Sequence, residues 1–270
     1  MPELPEVETI RHGIEPHLLG RTITDVAVRE PRLRWPVPAG LSEALTGQPV
    51  EAVARRAKYL LLITPAGTVI LHLGMSGSLR VVAADTPPQA HDHVDLCLND
   101  GRALRLRDPR RFGSLHWTRE DPGQHQLLRE LGPEPLDDAL TGDDLYRRSR
   151  GRRASVKAFL MDSRIVVGIG NIYASEALFE AGIHPGRAAG RIGPQRYRRL
   201  VTAIQTVLGR AIEAGGTTLR DFTRADGRPG FFRQALRVYG RAGQPCACGG
   251  AIRQRVIAQR ATYFCPRCQR

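Results

Sequence analysis

The sequence predicts an α+β protein: an N-terminal β-sandwich carrying an N-terminal helix, then a helical domain, then a small C-terminal β-hairpin. Three observations predict it. Short strand-like runs punctuated by turn residues fill residues 22–108. From about 136 to 225 the strand signals fade and the runs reach helical length. Four cysteines then gather around two strand-like runs at the C-terminus. The boundaries fall at 1–131, 132–225 and 226–270, with Gly132, Pro133 and Pro135 of GPEPLDDAL marking the first linker.

A chain of 270 residues is long enough for two domains, each with its own core. Its formal net charge of +13 and pI near 10.5 predict attraction to a polyanion, of which nucleic acid is the commonest. A ribosomal or membrane-surface protein would show the same balance. No apolar run reaches 18 residues and no signal peptide is recognisable, so the expectation is a soluble, cytoplasmic protein without a membrane partner. Only two of the 40 basic residues are lysines, Lys58 and Lys157. Where arginine has taken every position that needs charge alone, a surviving lysine marks work that a guanidinium cannot do, such as losing a proton. Lys58, between Arg55, Arg56 and an apolar strand, is flagged more than Lys157. Five cysteines without a secretion signal argue against a disulfide framework, and Cys97, alone in VDLCLND, reads as a small core residue.

The N-terminal stretch MPELPEVETIRHGIEPHLLG predicts a helix that holds an amine in place. Pro5 suits a first helical turn, Val7, Ile10, Ile14 and Leu18 recur at helical spacing, and Gly20 is a stop. Removal of Met1 leaves Pro2 with a free α-amine, a group that titrates near 7.7–8.0 and is a nucleophile when unprotonated. Glu3 and Glu6 place two carboxylates at the same helix end, where negative charge suits the dipole. Alone, the stretch also fits an ordinary helix with acidic capping.

Within the sandwich, HLGMSGSLR and DPRRFG put Met75, Arg110 and Phe112 on tight, glycine-containing turns. In a nucleic-acid-binding protein such apolar residues act as wedges between bases, with an arginine filling the vacated space. The other reading folds Met75 and Phe112 back into the sandwich. His91 and His93 read as surface residues rather than metal ligands.

The helical part contains LTGDDLYRRSR, ASVKAFLMD, NIYASEALFEAG and the long run from Pro194, with Leu200, Ile204, Val207, Leu208 and Ile212 as an apolar face ending at Gly215-Gly216. Gly168, Gly170 and Asn171 place bare backbone amides at a helix start, a good phosphate cradle, although a GxG pair is also an ordinary tight turn. The stretch 215–230 reads as a mobile loop. At the C-terminus, Cys246, Cys248, Cys265 and Cys268 could supply a tetrahedral Cys₄ zinc site, with sixteen residues between the pairs. A hairpin this small cannot bury enough surface alone, so the metal would be structural.

PELPEVE, VVGIGNIYASEALFEAGIHP and QRATYFC together resemble the bacterial formamidopyrimidine-DNA glycosylases, and the resemblance runs from Pro2 to Cys268. The related endonuclease VIII enzymes usually begin PEGPEI, so Leu4 and Val7 favour the first branch. The resemblance implies a helix-two-turn-helix element in the helical domain and a zinc-finger hairpin with one structural zinc. It implies a bifunctional glycosylase and lyase that excises oxidised purines such as 8-oxoguanine from damaged double-stranded DNA and cuts the strand. Pro2 would be the nucleophile and Glu3 the acid, with Glu6 ordering water or holding the cap. Lys58 and Arg260 would clamp phosphates, Lys58 also moving a proton. Met75, Arg110 and Phe112 would fill the gap left by the extruded nucleotide, His91 and Asn171 would contact DNA, and the 215–230 loop would cover the flipped base. No small-molecule cofactor is expected, and a monomer suits a protein that binds one lesion. One departure stands out: the family's first cysteine pair is normally C-x-x-C, and Cys246-Ala247-Cys248 is one residue short.

Three other readings remain at this point. A non-catalytic zinc-containing DNA-binding protein leaves the proline amine beside two carboxylates unexplained. A tautomerase using the N-terminal proline as a base leaves the charge and the cysteines unexplained. An endonuclease VIII-like preference for oxidised pyrimidines is compatible with all the motifs.

Overall fold

The computed structural model describes residues 2–216 and 235–270. It divides into two compact units, Met1–Arg129 with Ala214–Arg233, and Glu130–Glu213 with Gln234–Arg270.

The first unit begins with α1 (Leu4–Leu18). Glu3 is the N-cap of a capping box: its side chain accepts from the Glu6 N–H, and the Glu6 carboxylate accepts from the Glu3 N–H at 2.8 Å. The apolar positions at helical spacing, Val7, Ile10, Ile14 and Leu18, are all buried against the sheets. After α1 come β1 (Ile23–Val28), α2 (Leu41–Leu45), β2 (Ala52–Arg56), β3 (Tyr59–Thr64), β4 (Gly67–His72), β5 (Ser78–Ala83), β6 (Asp92–Leu98), β7 (Arg102–Arg107) and β8 (Ser114–Thr118). They form two antiparallel four-stranded sheets, ordered β1-β6-β7-β5 and β2-β3-β4-β8. Leucines, isoleucines and valines of both sheets and of α1 form one core. The sequence signals missed β8 and α2. SLHWT alternates, but it carries only two apolar residues, Leu115 and Trp117, and pairing with β4 completes the strand.

The strand order decides where the loops go. β4 pairs with β8 in one sheet, and β5 pairs with β7 in the other. The β4–β5 and β7–β8 connections therefore both cross between sheets, side by side, at one end of the sandwich. Asp92 lies opposite Arg107, which brings His91 to that end, and Tyr59 lies opposite His72, which brings the β2–β3 turn there too.

The second unit holds α3 (Gly142–Ser149), α4 (Val156–Met161), α5 (Asn171–Glu180), α6 (Pro194–Glu213) and the hairpin β9 (Arg253–Ile257) with β10 (Arg260–Phe264). Thr141 and Ser155 cap α3 and α4 through their hydroxyls. In α6, Leu200, Ile204, Val207 and Leu208 are buried as their spacing predicts, while Ile212 is half-buried. The hairpin has a core of its own, in which Ile252 and Cys265 pack on Phe179 of α5 and on Val238. Among the described residues no helix is long and apolar enough to cross a membrane.

Candidate nucleic-acid interface and metal centre

Helix α1 runs antiparallel to β2. Arg11 donates to the Val53 carbonyl and Glu8 accepts from Arg55, so the N-terminal end of α1 faces the β2–β3 turn. That turn is Ala57-Lys58. Ala57 is buried at φ 56, a conformation that L residues seldom adopt, and Arg55 holds its carbonyl at 3.0 Å. Lys58 thus sits in the turn just before β3. Pro2 and Glu3 are buried, and a Cβ on Gly216 would lie 3.3 Å from the Glu6 carboxylate, so residue 216 passes directly over the helix start. The candidate lesion loop at 215–230 lies outside the described residues from 217 onward.

His72 stands beside this corner. Burial, together with the nearby Lys58 ammonium and Arg34 guanidinium, lowers its pKa to about 4, with the Asp108 carboxylate opposing. Its Nδ1 accepts the Gly74 N–H at 3.0 Å, which makes the neutral ring an Nε2–H donor.

The two crossing loops carry the wedge candidates. Met75 and Phe112 are exposed, 37% and 42%, so neither folds back into the sandwich. The Arg110 guanidinium lies 4.7 Å above the Phe112 ring. The loops are pressed together: a Cβ on Gly74, which has φ 60, would stand 2.3 Å from the Phe112 carbonyl carbon. His91 is exposed and left-handed, with φ 74. His93 departs from its expected surface position: it is buried, its Nε2 bonded to the Asp108 carbonyl at 2.8 Å. Cys97, expected in the core, is half-buried on β6.

In the second unit Asn171 opens α5, after Gly168 at φ 78. Its amide donates to the Ala261 carbonyl at 3.0 Å and its oxygen accepts from Lys157 Nζ at 2.5 Å. Lys157 is fully buried and also donates to Thr262 Oγ1 at 2.6 Å, so one ammonium ties α4, α5 and β10 together beside the exposed Arg260. Glu176 is buried and accepts from the N–H groups of Arg237, Val238 and Tyr239. Burial pushes its pKa up against those donors.

The four Sγ atoms of Cys246, Cys248, Cys265 and Cys268 all lie within 4.8 Å of one another. Cys246 and Cys268 are 3.8 Å apart, and Cys248 and Cys265 are 3.5 Å apart. A tetrahedral ion with Zn–S bonds of ~2.3 Å holds its sulfurs about 3.8 Å apart. The donor set fits zinc. The shortened pair closes through its glycines: Gly249, at φ 76, donates to the Cys246 carbonyl, and the Gly250 carbonyl accepts from the Cys246 N–H at 2.7 Å.

Three family descriptions match the chain: formamidopyrimidine-DNA glycosylase N-terminal domain over residues 1–115, its H2TH domain over 131–223, and a zinc finger found in FPG and IleRS over 243–270. The chain belongs to the formamidopyrimidine-DNA glycosylase family. A formamidopyrimidine-DNA glycosylase of Alkalilimnicola ehrlichii is 67% identical, with both chains covered completely. The crystal structure of the MutM (Fpg) protein of Thermus thermophilus superposes with a TM-score of 0.89 at 40% identity, covering 99% of this chain and 98% of that one. That of wild-type Lactococcus lactis Fpg (MutM) with DNA containing N7-benzyl-Fapy-dG gives 0.92 at 32% identity, covering both chains completely.

As a glycosylase of this family the chain has a mixed α and β fold with one structural zinc on the four cysteines. Met75, His91, Arg110, Phe112 and Lys58 share one end of the first unit, and Asn171, Arg260 and the cysteines share the second. Sequence reasoning missed His72, Asp108, Glu176 and Tyr239, none of which stands in a spacing that marks it. It undervalued Lys157, which the scarcity of lysine had nonetheless flagged.

Proposed function

We propose that the chain is a bifunctional DNA glycosylase and AP lyase of base excision repair, taking oxidised purines such as 8-oxoguanine and formamidopyrimidines from double-stranded DNA. The observation that carries the reading is one of placement. The helix end bearing Pro2 and the buried Glu3 faces Lys58, at the end of the sandwich from which Met75, Arg110 and Phe112 project. Met75, Arg110 and Phe112 occupy the duplex while the damaged nucleotide is extruded. The Pro2 nitrogen forms a bond to C1′ and the base leaves with the electron pair of the glycosidic bond. The proton lost by the amine passes through Glu3 to the ring oxygen, the C1′–O4′ bond breaks, and an iminium remains. Loss of a C2′ proton then expels the 3′ phosphate, and a second elimination expels the 5′ phosphate. Lys58 and Arg260 hold the flanking phosphates, Lys58 exchanging a proton with the sugar; His91 and Asn171 grip the backbone. Glu6 is occupied by the helix cap and fixes the Glu3 backbone.

The three-part division at residues 131 and 225, a monomeric state, the lack of a small-molecule cofactor, and a cytoplasmic, nucleoid-associated location belong to the same reading. Borohydride trapping on duplex DNA with 8-oxoguanine opposite cytosine tests it. A covalent band from the parent protein, lost or sharply weakened in Pro2→Gly, is the expected result. No band on that duplex or on an abasic one, from protein that starts at Pro2 and contains zinc, would leave a non-catalytic DNA-binding relative. Faster trapping on an oxidised pyrimidine would move the enzyme to the endonuclease VIII type of substrate.

A further inference from the structure

We propose that Asp108 is the positioning residue that fixes the three DNA-facing loops of the first unit in one register; this rests on the wedge role assigned above. Asp108 is fully buried at the end of β7, where three connections meet. Its Oδ1 accepts from Ser76 Oγ at 2.7 Å and from the Arg110 N–H at 3.3 Å. Its Oδ2 accepts from the Gly113 N–H at 2.7 Å. Its own N–H donates to the His91 carbonyl at 3.0 Å, and its carbonyl accepts from His93 and from the Arg111 N–H. One residue therefore holds the neighbour of Met75, both flanks of the Arg110–Phe112 segment, and the strained His91.

The chemistry of the site requires a carboxylate. Every group meeting the two oxygens is a donor, two of them backbone N–H groups that cannot reverse. Asparagine has the same shape but one acceptor oxygen. Its best orientation keeps Gly113 and turns the NH₂ toward Ser76, which reverses that hydroxyl, sets the NH₂ against the Arg110 N–H and leaves that N–H with Ser76 Oγ, 3.2 Å away, as its remaining acceptor. Lost bonds to a charged acceptor in a buried network loosen the loops without emptying the core.

The wedge matters only when a base must leave a duplex, and this separates positioning from general damage. Asp108→Asn is compared with the parent on duplex DNA carrying 8-oxoguanine and on a single-stranded abasic oligonucleotide, which has no base to extrude. The expected result is a fall of about tenfold or more in kcat/KM on the duplex, with abasic cleavage within about twofold. Ser76→Ala, which removes one link and leaves the fold, shows a smaller fall, again on the duplex alone. Stopped-flow fluorescence of 2-aminopurine beside the lesion reads wedge insertion without chemistry, so its amplitude falls in both variants even if no strand is cut. Equal losses on both substrates, or no loss on either with unchanged fluorescence, would overturn the assignment. A parent that shows the fluorescence change yet never excises the lesion overturns the enzymatic reading instead.

Discussion

At the residue scale, the two lysines stand in opposite surroundings, Lys58 half-buried in an edge turn and Lys157 fully buried. Lys157 is an internal fastening whose ammonium is fully consumed by Asn171, Thr262 and the Ala261 carbonyl. Lys157→Met removes a charged donor from a buried network and lowers thermal stability by about 1–3 kcal/mol. The slope of log K against log salt for DNA binding stays as it was, because the side chain reaches no phosphate. Arg260→Ala does the reverse: it leaves the melting curve in place and lowers that slope by about one. His72 gives the pH dependence its sign. Its folded pKa of about 4 lies below the usual 6.5, so between these values the unfolded chain binds the extra proton. Stability is intact above pH 6.5 and falls as pH drops toward 4, by at most about 3 kcal/mol. Equilibrium unfolding of His72→Gln across that window should give the shallower profile.

At the element scale, the zinc hairpin depends on a bend that a shortened cysteine pair can make only with glycine behind it. Gly249 is left-handed with nothing but the end of Arg267 near its missing Cβ, so Gly249→Ala strains the backbone by about 1 kcal/mol without a clash. Competition with a chelator should therefore strip zinc from Gly249→Ala at lower concentration than from the parent, with loss of hairpin amide protection following the metal. Much of this element was legible in the sequence, because cysteine spacing and alternating runs are local signals. So were α1, α3 to α6 and seven of the eight sandwich strands, whose apolar periods appear within a few residues. Strand β8 was not, since its identity lies in its partner β4. Pro2, Lys58 and the wedge residues stood out through motifs. Asp108, His72 and Glu176 did not, because much of what surrounds each (Ser76 and His93, Lys58 and Arg34, and residues 237–239 respectively) is distant in sequence, and only closure of the fold brings it within reach.

At the scale of the whole molecule, a charge of +13 gives long-range attraction to DNA. The crossing of the β4–β5 and β7–β8 loops between sheets has a consequence for how the sandwich tolerates change. In the function proposed above, the DNA-facing loops of the first unit leave from one end, so the Asn99–Gly101 turn, at the far end of β6 and β7, is under no such demand. Gly101 has open space around its missing Cβ. The sandwich thus has a working end and a blank end. A fluorophore, an affinity tag or a fused domain grafted at the blank end would ride on the enzyme without entering the reaction, and natural variation in loop length should collect there for the same reason.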